Sequence, residues 1–213
     1  RSVVALTKEL GVERVIHISG WNVYDMSHSK PPYGEATSLN PDTPYGKSKL
    51  EVEEILQSEL GDTVTSLRFA SVYGPGQQSP GLITGLVRNA LRGEPLLVNA
   101  KLTRRDYMYI DDAVDAVVTL IDLPGQLPRA INIGSGSSVT IEDVAIKVAK
   151  ACKELLQKDV TVSVAEELQE SAVSDNCLSI ELAESLGLTM LNKTSMERGL
   201  VAYIEWKMNE HIL

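Results

Sequence analysis

Cysteine and histidine are scarce in this chain, two of one and three of the other in 213 residues. Cys152 and Cys177 are too few for a disulfide framework and lack the spacing of a zinc site. They read as reduced thiols of an intracellular, cytoplasmic protein. His17, His28 and His211 are scattered without metal-ligand spacing, and no metal is expected. Long hydrophobic runs are absent too. The longest, around Val117 to Ile121, is interrupted by Asp115 and Asp122, far short of the roughly 20 apolar residues a membrane span needs. No signal peptide is visible, and no membrane association is expected. Positive charge is in deficit, with 20 Lys and Arg against 29 Asp and Glu and a net charge of −9. That balance opposes a nucleic-acid or anionic-membrane surface, though it is compatible with a local basic site. What remains is ordinary for a soluble globular protein: 43% hydrophobic and 23% charged residues. The length suits one domain, or a domain with a small lobe.

The pattern along the chain is one of alternation. Residues 2–10 read as the end of a helix with Gly11 at its C-terminal cap. Val15 to Ile18 is a β-rich run, and residues 20–42 form a long loop of the kind that is usually functional in a compact domain. Thr43 caps a helix from Pro44 to about Leu60. Leu50, Ile55 and Leu56 are expected on its apolar stripe, with Glu51, Glu53 and Glu54 toward water. Val64 to Phe69 is the next strand. Further helices are expected at 82–91, from a cap at Asp111 or Asp112 to Asp122, from Thr140 to Gln157, from a Ser179 cap to Leu186, and from Thr194 onward. Strands are expected at 96–98, 105–109, 130–133 and 160–164. Residues 166–177 read as a polar loop. Strands alternating with helices mean an α/β fold with parallel pairing. Gly134-Ser135-Gly136 is a turn after the last sheet strand. No internal repeat or low-complexity segment is present.

Tyr45 and Lys49 are the most informative pair. Four residues apart at a helix start, they share one face, one turn from each other. An ammonium beside a phenol favours the phenolate, so the pair suits general acid/base work on a hydroxyl proton. The alternative is a surface tyrosine with a solvated lysine, and the bare pattern does not decide between them.

The surroundings do. Ile18-Ser19-Gly20-Trp21-Asn22-Val23-Tyr24, then Tyr45-Gly46-Lys47-Ser48-Lys49, Leu67-Arg68-Phe69-Ala70-Ser71-Val72-Tyr73-Gly74-Pro75-Gly76, the run from Arg104 to Asp112, and Asn132-Ile133-Gly134-Ser135-Gly136 together resemble the extended short-chain dehydrogenase/reductases. These are the NAD-dependent sugar-nucleotide epimerases and dehydratases. The resemblance implies a Rossmann-like parallel sheet with a small mixed α/β substrate lobe. Residues 1–75 would be the C-terminal part of the dinucleotide-binding domain. Residues 76–213 would be mostly the substrate lobe, with 110–135 returning to the main sheet. It implies NAD or NADP as cofactor, a nucleotide sugar or other small molecule as substrate, and a homodimer through the helix of residues 45–60, with Leu50 or Val52 on a second apolar strip. By position, Tyr45 is the acid/base, Lys49 its partner on the nicotinamide ribose, and Ala70 part of the nicotinamide pocket. Ser71 stands at a substrate-facing position and Arg105 at a pyrophosphate-clamping one. The other reading of Arg105 is an ion pair with Asp106 or Asp111.

Four departures qualify the resemblance. No Gly-x-x-Gly-x-x-Gly turn occurs in the chain, so most of the cofactor-binding segment is missing. The chain starts at Arg1 and reads as a fragment of a longer protein, with an open sheet edge and little turnover expected on its own. Gly20 stands where the family has its catalytic Ser or Thr, leaving as substitute donors Thr43, a water, or Ser19, one residue away but on the opposite strand face unless the loop is bulged. Ser71 replaces the family's Asn. A second pyrophosphate arginine is expected near residues 166–170, which read Glu-Glu-Leu-Gln-Glu. Two further readings therefore stand beside the enzyme. One is a catalytically dead relative kept as a binding or regulatory module. The other is a reductase of a less charged alcohol or ketone.

Overall fold

The computed structural model describes residues 2–77, 80–99, 103–164, 174–188 and 193–210. Helix α1 (Val3–Leu10) is capped by Ser2 and ends at Gly11, whose φ of 60° is left-handed. Strand β1 (Val15–Gly20) follows, then a single 3₁₀ turn at Trp21–Val23 and a long loop. Helix α2 (Pro44–Leu60) starts as its sequence dictates: Thr43 Oγ accepts the Gly46 N–H at 3.0 Å, and Pro44 supplies a preset φ. Then come β2 (Val64–Phe69), β3 (Ser71–Tyr73), α3 (Leu82–Arg92), β4 (Leu96–Val98), β5 (Arg104–Arg105), β6 (Tyr107–Tyr109) and α4 (Ile110–Asp122). The chain continues through β7 (Ala130–Ile133), β8 (Val139–Thr140), α5 (Ile141–Leu156), β9 (Val162–Val164), α6 (Glu181–Ser185) and α7 (Met196–Glu210).

The expected α/β class with parallel pairing is what forms. Strands β1, β2 and β7 make a parallel sheet with β2 in the middle. Leu67, Ile131 and Ile133 on it are fully buried against Ala113, Ala116 and Leu120 of α4, each such side chain stabilising the fold by about 1.5–3 kcal/mol. A second core joins α3, α5 and α7 through Leu86, Val87, Val148, Leu200 and Ile204. The pairs β3–β6 and β4–β9 are parallel and β5–β8 is antiparallel. Among the described residues β1 pairs on one side only, with β2, and Ile18 is 49% exposed there. None of the described helices is long and apolar enough to cross a membrane.

Several expectations need correction. Glu53 does not face water. It is buried on α2 because Arg68, from the central strand, needs a counter-ion: Nη2 reaches Glu53 Oε2 at 2.7 Å. Ile55, expected on the buried stripe, is instead 50% exposed. The strand expected at 105–109 is split by Asp106, which is fully buried. Neither Asp111 nor Asp112 caps α4. Tyr109 stands at the cap, and Asp112 accepts instead from the Thr194 N–H and hydroxyl. That leaves Ser195, not Thr194, to accept from the first turn of α7. Ser179 does not cap α6, which is preceded by Ile180. The acidic residues 166–170 lie outside the described residues.

Candidate active site

Strand alternation sets the stage. His17 and Ser19 share a face of β1 with Ser66 and Arg68, their register partners on β2. This is the face that α2 covers, since Arg68 meets Glu53 there. Helix α2 thereby lays its first turns over the C-terminal end of β1. Lys49 Nζ donates to the Ile18 carbonyl at 3.0 Å and stands 5.6 Å from the centre of the Tyr45 ring. Tyr45 is 57% exposed, open to whatever binds over that end of the sheet. Beside them, the Ser19 hydroxyl is buried and has no partner among the described residues. A buried hydroxyl without a partner costs free energy, and a ligand group at that position would recover it. Tyr45 and Lys49 thus stand together at the C-terminal end of β1, and Ser19 lies buried on the face of that strand that α2 covers.

Gly20, next along, has a φ of −159°, extended backbone that any residue adopts. A Cβ there would stand 3.3 Å from Asn22 Oδ1, the end of a side chain that can move, and 3.7 Å from the Phe69 carbonyl. Serine is therefore tolerable at this position, and its absence is not forced by the backbone.

The other predicted residues take separate places. Ala70 is buried beside Val23, Tyr24, Tyr33 and Leu178, and its N–H donates to the Ile133 carbonyl at 2.8 Å. Ser71 opens β3 opposite Tyr107, its N–H held by the Asp106 carbonyl at 3.0 Å. Arg105 pairs with neither Asp106 nor Asp111. Its Nη1 donates to the Arg104 carbonyl at 2.7 Å and to Ser174 Oγ at 2.9 Å. The guanidinium carbon lies 5.8 Å from the centre of the Trp21 ring. Burial lowers its pKa, against the opposing pull of Tyr107 and Asp175.

Arg105 forms one wall of a cleft of about 710 Å³. Trp21, Asn22, Tyr33, Thr43 and Asp175 line other parts of it. Tyr45 is not itself on that wall, but its neighbour Thr43 is. Asn22, also on the wall, touches the Tyr45 turn: a Cβ on Gly46 would fall 2.3 Å from the Asn22 carbonyl oxygen. Trp21 and Asp175 are the residues that sequence reasoning passed over. Trp21 carried a signal, a large aromatic directly after Gly20 in a functional loop. Asp175 carried none, because it reaches the cleft from a distant part of the chain.

The residues present fit one end of a dinucleotide only. Tyr45 and Lys49 could hold its nicotinamide ribose. The Gly134-Ser135-Gly136 turn could not cradle phosphate, because Asp106 already occupies it. The Ser135 N–H and hydroxyl donate to Asp106 Oδ1 at 2.9 and 2.7 Å, and a Cβ on Gly134 would fall 2.8 Å from Oδ2.

The chain is similar to known proteins along most of its length. The chain is 26% identical over 204 residues to an uncharacterised UDP-glucose epimerase of Bacillus subtilis, YtcB, covering 92% of this chain and 62% of that protein. It is 33% identical over 154 residues to a dTDP-4-dehydro-6-deoxyglucose reductase of Escherichia coli, covering 67% of this chain and 48% of the reductase. It therefore spans roughly half to three-fifths of those relatives. Among solved structures, MoeE5 in complex with UDP-glucuronic acid and NAD superposes with a TM-score of 0.80 at 28% identity, over 98% of this chain and 69% of that one. The UDP-glucose 4-epimerase of Thermotoga maritima with UDP-glucose gives a TM-score of 0.80 at 26% identity, over 98% and 68%. The family model described as NAD dependent epimerase/dehydratase matches residues 1–134. With most of its length matched and the Tyr45–Lys49 pair assembled at the strand end, the chain belongs to the NAD-dependent epimerase/dehydratase family.

Proposed function

We propose that this chain carries the proton-transfer and substrate-binding part of an NAD(P)-dependent epimerase or dehydratase acting on a nucleotide sugar. The observation that carries the reading is the pairing of Tyr45 and Lys49 at the C-terminal end of β1, with Lys49 anchored on the Ile18 carbonyl. Tyr45 takes or returns the proton of a sugar hydroxyl. Lys49, fixed by the Ile18 carbonyl, keeps a positive charge beside the Tyr45 ring and faces the cofactor's ribose. Ser19 donates to the sugar oxygen in place of the side chain that Gly20 lacks, and Ala70 borders the nicotinamide ring. The cofactor, when bound, supplies the reversible hydride acceptance. Arg105 holds the diphosphate with the guanidinium edges left free of described partners, and Ser71 faces the substrate beside it. A guanidinium fork suits that anion because it is planar and always charged. In domain terms, residues 1–75 belong with the cofactor-binding part. Residues 76–213 are mostly substrate lobe, and 110–135 return to the main sheet. The exposed Val52 and Ile55 on α2 support a homodimer through that helix, and the two unpaired thiols suit a cytoplasmic protein.

Calorimetry with NAD, NADP and UDP-glucose, followed by conversion assays, tests this. Tyr45→Phe should slow conversion by about 10²-fold or more, in the range of a lost general acid/base, with UDP-glucose affinity kept. An unchanged rate removes Tyr45 from the chemistry. Gly20 favours a second reading, a binding or regulatory module without turnover. Nucleotide-sugar and NAD(P) binding with no conversion by the protein expressed from its own gene would select it.

A further inference from the structure

Three separated segments wall the cleft: Arg105 of β5, Ser174 with Asp175, and the long loop that runs from Trp21 to Thr43. Behind the wall they meet at one carboxylate. Asp106 is fully buried, so nothing in the cleft touches it. It follows Arg105 directly, and its backbone fixes two neighbours. Its N–H donates to Asn176 Oδ1 at 2.7 Å, and its carbonyl accepts from the Ser71 N–H at 3.0 Å. Its side chain fixes two more. Oδ1 accepts from the Ser135 N–H and hydroxyl, and Oδ2 from the Leu178 N–H at 3.3 Å. Leu178 is also where the long loop is fastened. On either side of it, the Cys177 carbonyl accepts from the Tyr33 N–H and the Ser179 N–H donates to the Tyr33 carbonyl, both at 2.9 Å.

The adjacent arginines do not pair with this carboxylate. Arg104 Nε turns to Ser138 Oγ at 3.1 Å and Arg105 Nη1 to Ser174 Oγ at 2.9 Å. Burial pushes the Asp106 pKa up, and the bonds from Ser135, Leu178 and Gly136 oppose that rise. Keeping a charge in the interior on hydrogen bonds alone is costly. What a carboxylate offers in return is acceptance at both ends at once, where an amide accepts at one end only. Asp106 thereby draws the turn at 134–136 and the segment 174–178 onto β5 and β6 together.

We propose that Asp106 is a positioning residue that sets the spacing between Arg105, the Ser174–Asp175 wall and the long loop, so that the cleft has its shape before a ligand enters. Pre-organisation of this kind raises affinity without a contact, because the ligand does not have to order the wall. As a statement about nucleotide affinity the proposal rests on the nucleotide-sugar reading above; as a statement about the wall it stands alone.

The test uses the protein expressed from its own gene and three variants, each shown by urea unfolding to be folded under the assay conditions. In Asp106→Asn the amide oxygen keeps the Ser135 bonds while the NH2 group meets the Leu178 N–H, donor against donor. Asn176→Ala removes the acceptor of the Asp106 N–H. Ser135→Ala is the control, since it removes one bond to the same carboxylate from a segment that does not line the cleft. Calorimetry with UDP should show Asp106→Asn about tenfold or more weaker, the scale of a misplaced binding group. Asn176→Ala should follow it, and Ser135→Ala should stay within about twofold of wild type. A second readout needs no ligand. With Trp206→Phe in every protein, Trp21 is the remaining indole. Acrylamide quenching of its fluorescence should rise in Asp106→Asn and Asn176→Ala but not in Ser135→Ala. If Asp106→Asn does not fold, Asn176→Ala decides. Variants that lose stability yet bind UDP and quench like wild type overturn the proposal, because that is what a purely structural carboxylate gives. Absence of UDP binding by wild type overturns the nucleotide-sugar reading instead, and the quenching comparison then decides this proposal.

Discussion

Two arginines sit in polar clusters at opposite ends of the same region, and they are used differently. Arg68, on the central strand, is committed on every side. Nε and Nη2 engage Glu53, the latter at 2.7 Å, and Nη1 meets the Tyr24 hydroxyl at 3.2 Å. Tyr24 in turn donates to Asn132 Oδ1 at 2.6 Å, and Asn132 Nδ2 closes the chain on the Tyr33 carbonyl at 2.8 Å. Burial works against the Arg68 charge, but bonds from Glu53 and Tyr24 more than offset it, and its pKa stands above the ordinary value. Among the described residues, Arg105 is held through one nitrogen, Nη1, and rests on an aromatic ring at the wall of a cleft. A guanidinium with every edge satisfied fastens elements together, here α2, the sheet and the long loop. One with edges to spare at a cleft is equipped for an anion. The first arrangement fixes where Tyr45 and Lys49 stand; under the proposed function, the second would select what they act on.

Breaking each cluster should give opposite signatures. The largest effect on stability is expected from Glu53→Ala, which leaves the Arg68 charge buried and alone at a cost of about 3–5 kcal/mol. Urea unfolding measures it, and replacing both partners by apolar residues, Glu53→Leu with Arg68→Met, should recover most of the loss. Arg105→Ala should do the reverse. Its effect on unfolding should stay below about 1.5 kcal/mol, while UDP affinity falls by about 10- to 100-fold, the worth of a charge-assisted hydrogen bond. Tyr24→Phe sharpens the comparison further. Loss of the one hydroxyl that joins Arg68 to Asn132 should cost about 1–3 kcal/mol in stability, with UDP affinity falling less than in Arg105→Ala. The smallest effect concerns pH. Burial lowers the His17 pKa from 6.5, with Lys49 acting the same way and Glu53 opposing. The folded state therefore resists the proton that the unfolded chain accepts. Stability is full above about pH 6.5 and is lost as pH falls through the lower folded value. His17→Gln should flatten that loss when urea midpoints are compared at about pH 7 and about pH 5.

The sequence made the alternation of strands and helices legible because caps and turn residues act locally. Thr43 and Thr140 accept from the first turns of their helices as their spacing demands, and Gly11 takes its left-handed φ. Glu53 was misread because a run of glutamates looks like a solvated face. The partner that buries it, Arg68, arrives from an interior strand that no local pattern connects to α2. Asp106 likewise reads as a strand residue until Ser135 and Leu178 are seen to donate to it from elsewhere in the chain. In the site, Tyr45 and Lys49 were legible because their spacing alone puts them on one face. The cleft was not, since its wall joins Trp21 to Arg105 and to Ser174 and Asp175 from three separated segments.

The central claim is that Tyr45, with Lys49 beside it, moves a proton on a nucleotide sugar. The direct measurement is conversion of UDP-glucose with NAD by the protein expressed from its own gene, compared with Tyr45→Phe under saturating substrate. The account predicts a loss of about 10²-fold or more in rate at unchanged UDP-glucose affinity. Equal rates for the two proteins would contradict it.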